Sequence, residues 1–114
     1  MCTSKTLDLL LQETRESLFK IFGNKLEDVV LYGSYARGDY DSESDIDVMA
    51  LVDMERDALN KYRRRVSDFA NDIDLKYDVL LSIKLQDKKS FDKYKNSIPI
   101  YRNIEKEGLR LSVQ

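Results

Sequence analysis

The chain has 114 residues, 42% of them apolar, and its 19 Lys and Arg against 21 Asp and Glu leave a net charge of −2. That length suits one compact domain over residues 1–114, and the near-balance of charge argues against direct nucleic-acid binding, which needs a basic face. No apolar run approaches the ~20 residues of a membrane span, Met1-Cys2-Thr3-Ser4-Lys5 lacks a signal-peptide core, and the single cysteine, Cys2, excludes an internal disulfide framework, so a reducing cytoplasm is the expected location.

From Ser4 to Phe22, apolar side chains recur at Leu7, Leu10, Leu11, Leu18, Ile21 and Phe22. That spacing predicts a helix with Thr3 or Ser4 as N-cap and Gly23 as its stop. Leu26 to Tyr32 reads as a short buried strand ending at Gly33. Ser34 to Arg37 is a single helical turn closed by Gly38, and Asp39 to Ser44 is polar loop. Asp45 to Val52 alternates, with Ile46, Val48, Ala50 and Val52 on one side and Asp45, Asp47 and Met49 on the other. Met54 to Ala70 is expected to be one amphipathic helix. Asp72 to Lys84 reads as the longest alternating strand, burying Ile73, Leu75, Tyr77, Val79, Leu81 and Ile83 and leaving Asp74, Asp78 and Ser82 on the polar side. Helices over 86–94 and 100–107 follow, and Leu109 to Val113 is a candidate edge strand. This order predicts an α/β (α+β) fold on a small mixed sheet, one face packed by helices and the other carrying the site.

The sequence contains no histidine. Serine–histidine and cysteine–histidine nucleophiles, and most zinc sites, are therefore excluded. Chemistry must run on carboxylates, hydroxyls, Lys or Arg, and bound metal. Asp45 and Asp47 point the same way from one strand, about 7 Å apart along it. Asp78 is expected to join them from the neighbouring strand. It is favoured over Asp74 because it lies mid-strand among apolar neighbours, where an uncompensated charge is costly. Like charges about 4 Å apart repel by roughly 4 kcal/mol at an effective dielectric near 20, so such a trio calls for a cation. Oxygen-only ligands suit Mg²⁺ or Mn²⁺, and two such ions can activate an attacking oxygen and steady a leaving phosphate.

Gly33 and Ser34 supply the other half of a nucleotide site. Glycine lets the backbone approach an anion, and a helix start offers N–H groups to phosphate. Ser44, immediately before the carboxylate pair, is placed with the nucleotide-binding group. Arg37 is open to two readings, a triphosphate donor or a salt-bridge partner of Asp39. Tyr35 and Tyr40 lie beside the site, within reach of a base or a partner. Arg63-Arg64-Arg65 spans most of a helix circumference and reads as a solvated face with partner contacts rather than a nucleic-acid patch. Together these parts describe metal-assisted attack on the α-phosphate of a nucleoside triphosphate.

Gly33-Ser34, then Asp45-x-Asp47 ten residues beyond the serine, resembles the signature of the DNA polymerase β-type nucleotidyltransferases. The opening Gly33-Ser34-x-Ala36-Arg37-Gly38 and the tail Ile98-Pro99-Ile100-Tyr101-Arg102-Asn103-Ile104-Glu105-Lys106-Glu107-Gly108 resemble the minimal nucleotidyltransferase branch of that superfamily. The resemblance implies a polymerase β-like fold and a triphosphate held by Gly33 and Ser34. It implies two Mg²⁺ ions on Asp45 and Asp47, with Asp78 completing one site and helping to deprotonate the acceptor. It further implies transfer of AMP from ATP to tyrosine on a HEPN-domain RNase toxin, for which such proteins act as antitoxin. The alternatives are an antitoxin that works by binding alone, and nucleotidyl transfer to a small hydroxylated molecule such as an aminoglycoside.

Overall fold

A computed structural model describes residues 3–41 and 43–111. Helix α1 (Ser4–Phe22) starts where the Thr3 hydroxyl accepts from the Thr6 N–H, and it stops at Gly23. A 3-10 turn leads into β1 (Leu26–Tyr32), followed by the one-turn α2 (Ser34–Arg37) and β2 (Ile46–Val52). Next come α3 (Arg56–Asn60), α4 (Arg63–Tyr77) and β3 (Leu81–Asp87). The chain continues through α5 (Lys88–Tyr94), α6 (Pro99–Glu107) and β4 (Leu109–Leu111).

The sheet runs β3-β2-β1-β4. Strand β1 is antiparallel to β2 and β4, while β2 is parallel to β3, so the sheet is mixed as expected. One face turns Val29, Leu31, Ile46, Val48, Ala50, Val52, Leu81 and Leu85 toward α1 and α4, whose Leu10, Leu18, Val66, Ala70 and Ile73 complete the main core. Each such fully buried aliphatic contributes about 1.5–3 kcal/mol. A bulge at Glu27, between the paired Leu26 and Asp28, turns Leu26 onto this same face.

The other face is not bare. Val30, Met49 and Leu51 pack there with Phe91 of α5 and Ile104 of α6 in a second, smaller cluster. That cluster fills one end of the face and leaves the end bearing Tyr32 and Asp47 for the site.

Two expectations are overturned. The helix expected over Met54–Ala70 is two helices, α3 and α4, and α4 runs on to Tyr77. The strand expected from Asp72 is the last part of that helix, and β3 begins only at Leu81. Val66, Ala70, Ile73 and Tyr77 follow the i, i+4, i+7, i+11 helical spacing, which prevails over a coincidental alternation. Leu75, assigned to the core by that alternation, is 85% exposed. The final strand is described only through Leu111, and the rest of its expected span lies outside the described residues.

Gly108 ends α6 and admits β4 beside β1. A β-carbon there would overlap the Val30 methyl and the Ile104 carbonyl. Gly108→Ala is therefore expected to destabilise the fold by about 1–3 kcal/mol, as overpacking does. The urea midpoint should fall with its slope unchanged.

Candidate active site

Tyr32 ends β1 directly across the sheet from Asp47 of β2. Gly33 then turns the chain with φ 75° and ψ −155°, a backbone region essentially reserved for glycine. A β-carbon at Gly33 would lie 2.5 Å from Oδ2 of Asp47 and 3.4 Å from its Cγ. The missing side chain is what lets the bend and the carboxylate meet. Immediately after the bend, the amides of Ala36 and Arg37 both donate to the Gly33 carbonyl at 3.1 Å, closing α2. Gly38, left-handed at φ 85°, ends the turn.

Asp47 is held above the ordinary carboxylate value, first by burial, then by the neighbouring Asp45 charge, against a lowering pull from Arg37. The Tyr32 phenol is pushed up by burial and by Asp47. Positive charge is in short supply here. Arg37, about half exposed, stands 3.2 Å from Asp39 and 4.0 Å from Glu107 of α6, so its cationic head is shared among several acids. A divalent cation would relieve the Asp45–Asp47 repulsion. Two carboxylates with waters and phosphate oxygens are an ordinary Mg²⁺ shell, so these residues fit one nucleotide-borne ion.

Of the residues singled out from the sequence, Gly33, Asp45 and Asp47 are brought together, with Ser34 opening α2 and Arg37 at the end of the same turn. Asp78 is not brought to them. It caps α4 in the left-handed conformation, φ 55° and ψ 54°, and is not on the strand. The β3 residue across from Asp47 is Ser82. Among the described residues no three carboxylate, histidine or cysteine groups gather into a metal-sized cluster. Asp74 is also occupied, since Oδ1 accepts from the Leu81 N–H at 2.7 Å and ties the end of α4 to the start of β3.

Ser44 braces the loop before β2. Its hydroxyl accepts from the Asp41 N–H at 3.0 Å and donates to Asp41 Oδ1 at 3.3 Å. Tyr35 and Tyr40 stack on one another, 4.1 Å apart and 7° from parallel, with Tyr35 buried in the main core. Tyr32, Ser82 and Glu107 were not recognised from the sequence as site neighbours. Tyr32 was readable as the residue entering the Gly33 bend, whereas Glu107 gave no local signal.

The match to known families decides what this arrangement belongs to. Residues 11–108 match the family described as the nucleotidyltransferase domain, a span that holds both the bend and the carboxylate pair. The chain is a nucleotidyltransferase. Similar proteins include two from Methanocaldococcus jannaschii, both named as putative protein adenylyltransferases. One is 44% identical over 73 residues, covering 64% of this chain and 72% of the relative. The other is 32% identical over 98 residues, covering 86% and 90%. Among solved structures, a toxin-antitoxin crystallised with AMP-PNP shares the fold at TM-score 0.55 and 18% identity, covering 90% of this nucleotidyltransferase and 73% of that chain. A mutant form of the toxin-antitoxin MntA-HpeT superposes at TM-score 0.55 and 16% identity with the same coverage.

Two outcomes follow from this geometry. A carboxylate whose folded pKa is raised stabilises the fold below its unfolded value of 3.8, and that contribution is lost as pH rises through the folded pKa. Asp47→Asn should therefore melt slightly above the unsubstituted nucleotidyltransferase at neutral pH, by under about 4 °C. The difference should close in acid, while activity falls by at least ~10²-fold; melting curves across pH beside a turnover assay read both effects. Gly33→Ala imposes strain of about 1–3 kcal/mol and displaces Asp47. Its ATP affinity, read by calorimetry, should fall at least ~10-fold.

Proposed function

We propose that this nucleotidyltransferase, one domain over residues 1–114, transfers AMP from ATP to a tyrosine hydroxyl of a HEPN-domain RNase toxin and so acts as its antitoxin. The observation that carries this reading is the Asp47 carboxylate seated against the Gly33 bend, which joins a cation site to a phosphate cradle. The names of the relatives support a protein acceptor. The toxin-antitoxin structures that share the fold, one of them with AMP-PNP, support the partner and the adenine nucleotide.

In this reading the Gly33–Ser34 bend and the Ser34 hydroxyl hold the triphosphate, and Arg37 offers it a cationic donor. Asp45 and Asp47 hold Mg²⁺, with Mn²⁺ as a substitute. Held there, such a cation would supply charge withdrawal from the triphosphate and lower the cost of forming the attacking oxyanion. The tyrosine oxygen bonds to the α-phosphorus, the bond to the β-phosphate oxygen breaks, and pyrophosphate departs. Asp45, exposed beside the half-buried Asp47, is the carboxylate open to the acceptor's proton.

The lack of a third clustered carboxylate among the described residues favours a second reading, an antitoxin that acts by occlusion alone. Incubation with ATP, Mg²⁺ and the HEPN-domain protein separates the two. Intact mass should show a gain of one or more AMP units on the toxin. That gain should vanish in the Asp45→Asn/Asp47→Asn double variant while the complex still forms. Full neutralisation with no mass change would establish occlusion instead.

A further inference from the structure

Strand β3 is a seven-residue edge of the sheet. In its parallel ladder with β2, the Ile46 N–H donates to the Leu80 carbonyl at 2.8 Å. Ser82, Lys84 and Gln86 therefore aim their backbone groups at β2, and Leu81, Ile83 and Leu85 aim theirs outward. The Asp74 carboxylate takes the outward Leu81 N–H. The groups of Ile83 and Leu85 remain open, on a strand with neither proline nor bulge to blunt it.

A groove of about 330 Å³ runs along this edge beneath α4. Val66, Ala70, Leu81, Ile83 and Leu85 contribute to its floor, and the surface it exposes is more polar than apolar. Its rim is Arg63, Ser67 and Asn71, at i, i+4 and i+8 on one flank of α4. Seven strand residues extend about 23 Å, enough to pair a further strand.

The charges on α4 indicate what covers the edge. Arg63, Arg64 and Arg65 stand at the N-terminus of the helix, its positive pole, and Asp72, Asp74 and Asp78 stand at the other end. That order opposes the helix dipole, which favours acids first and bases last. Arg63 Nε reaches Asn60 at 2.7 Å and no acid; Lys76, the only base of the last turn, is committed to Glu13 of α1. A helix laid antiparallel beside α4 with the same charge order would set each basic end against an acidic end. The sequence that carries that order is this chain itself.

We infer that two copies of this chain pair antiparallel along β3 about a two-fold axis, α4 beside α4. Ile83 exchanges both backbone bonds with Ile83 of the second copy, and Leu85 donates to its Leu81 carbonyl. Lys84 lies opposite Ser82, so no like charges are opposed. Arg63 and Arg64 face Asp74 and Asp78 across the axis, and the two half-grooves close into one seam. The axis stands perpendicular to the sheet, so both Asp47 carboxylates remain on a single surface, about 15 Å apart by strand spacing.

Sedimentation velocity from micromolar to millimolar concentration tests the pairing. The unsubstituted chain should dimerise. Arg64→Asp, which suits the helix dipole of the monomer, should weaken the dimer at least tenfold, as should Asp78→Arg. Mixing the two variants should restore association. Because Asp78→Arg burdens a left-handed backbone position, hydrogen exchange on the unsubstituted chain supplies an independent reading. The Ile83 and Leu85 amides should gain protection with concentration while those of Ser82 and Lys84 do not change. A monomer at millimolar concentration overturns the inference. So does a dimer indifferent to Arg64→Asp, or edge protection that arises only when the acceptor protein is added.

Discussion

Asp47 and the Gly33 backbone occupy space that no other residue at position 33 could share, and the rest of the site is arranged around that contact. A β-carbon 2.5 Å from a carboxylate oxygen is a collision, and φ 75° with ψ −155° excludes L side chains for a second, independent reason. The contact is possible because Tyr32 pairs with Asp47 in the β1–β2 register. A slip of one residue would send Asp47 into the main core and expose Val48. The register is fixed from the opposite face, where Val29, Leu31, Ile46, Val48 and Ala50 are almost fully buried. Core packing on one side of the sheet thus sets the position of a carboxylate on the other.

The fold accepts an electrostatic cost there. Asp47 is pushed up by burial and by Asp45, and Tyr32 by burial and then by Asp47. Elsewhere several charges are paired: Arg110 with Asp28 and Glu105, Lys88 with Asp92, Lys76 with Glu13. Asp87, by contrast with Asp47, is held below the usual carboxylate range despite its burial, because it accepts from the Ser90 amide and faces Arg56. Two acids at the ends of β2 and β3 are therefore driven in opposite directions. The one with local donors is structural, and the one without them is the carboxylate that a cation would relieve.

Much of this was legible in the sequence because its signals were local. The bounds of α1, β1 and α2 follow from caps, glycine stops and a short apolar run, and each element begins and ends where those signals fall. Asp45 and Asp47 were readable for the same reason, since strand alternation needs only a few neighbours. The third carboxylate was not, because its placement depended on where α4 ends. Ile73, Leu75, Tyr77 and Val79 satisfy a two-residue period, while Val66, Ala70, Ile73 and Tyr77 satisfy the helical one. The pairing of Asp74 with the Leu81 amide, together with the β2 ladder that begins at Leu81, fixes the strand start and shifts the candidate residue from strand to cap. Glu107 was hidden differently. Its approach to Arg37 spans most of the chain, and no local pattern encodes it.

The position left empty on β3 has a consequence for how such a site can work. Ser82, across from Asp47, brings a hydroxyl where a further carboxylate would bring charge. With Asp45 and Asp47 the only acids converging among the described residues, the protein would offer a cation two acidic groups, and the remaining ligands would be water and phosphate oxygens. Affinity for metal then depends on whether nucleotide is present. A protein with this donor set would hold little metal alone and assemble its reactive centre only as the triphosphate settles on the Gly33 bend. The short supply of positive charge around Asp47 acts in the same direction, since Arg37 offsets the raised carboxylate only in part and a bound cation would relieve it further. In the proposed reading the Gly33 bend and the acid pair are coupled parts of one site, joined at the point where a glycine lets them touch.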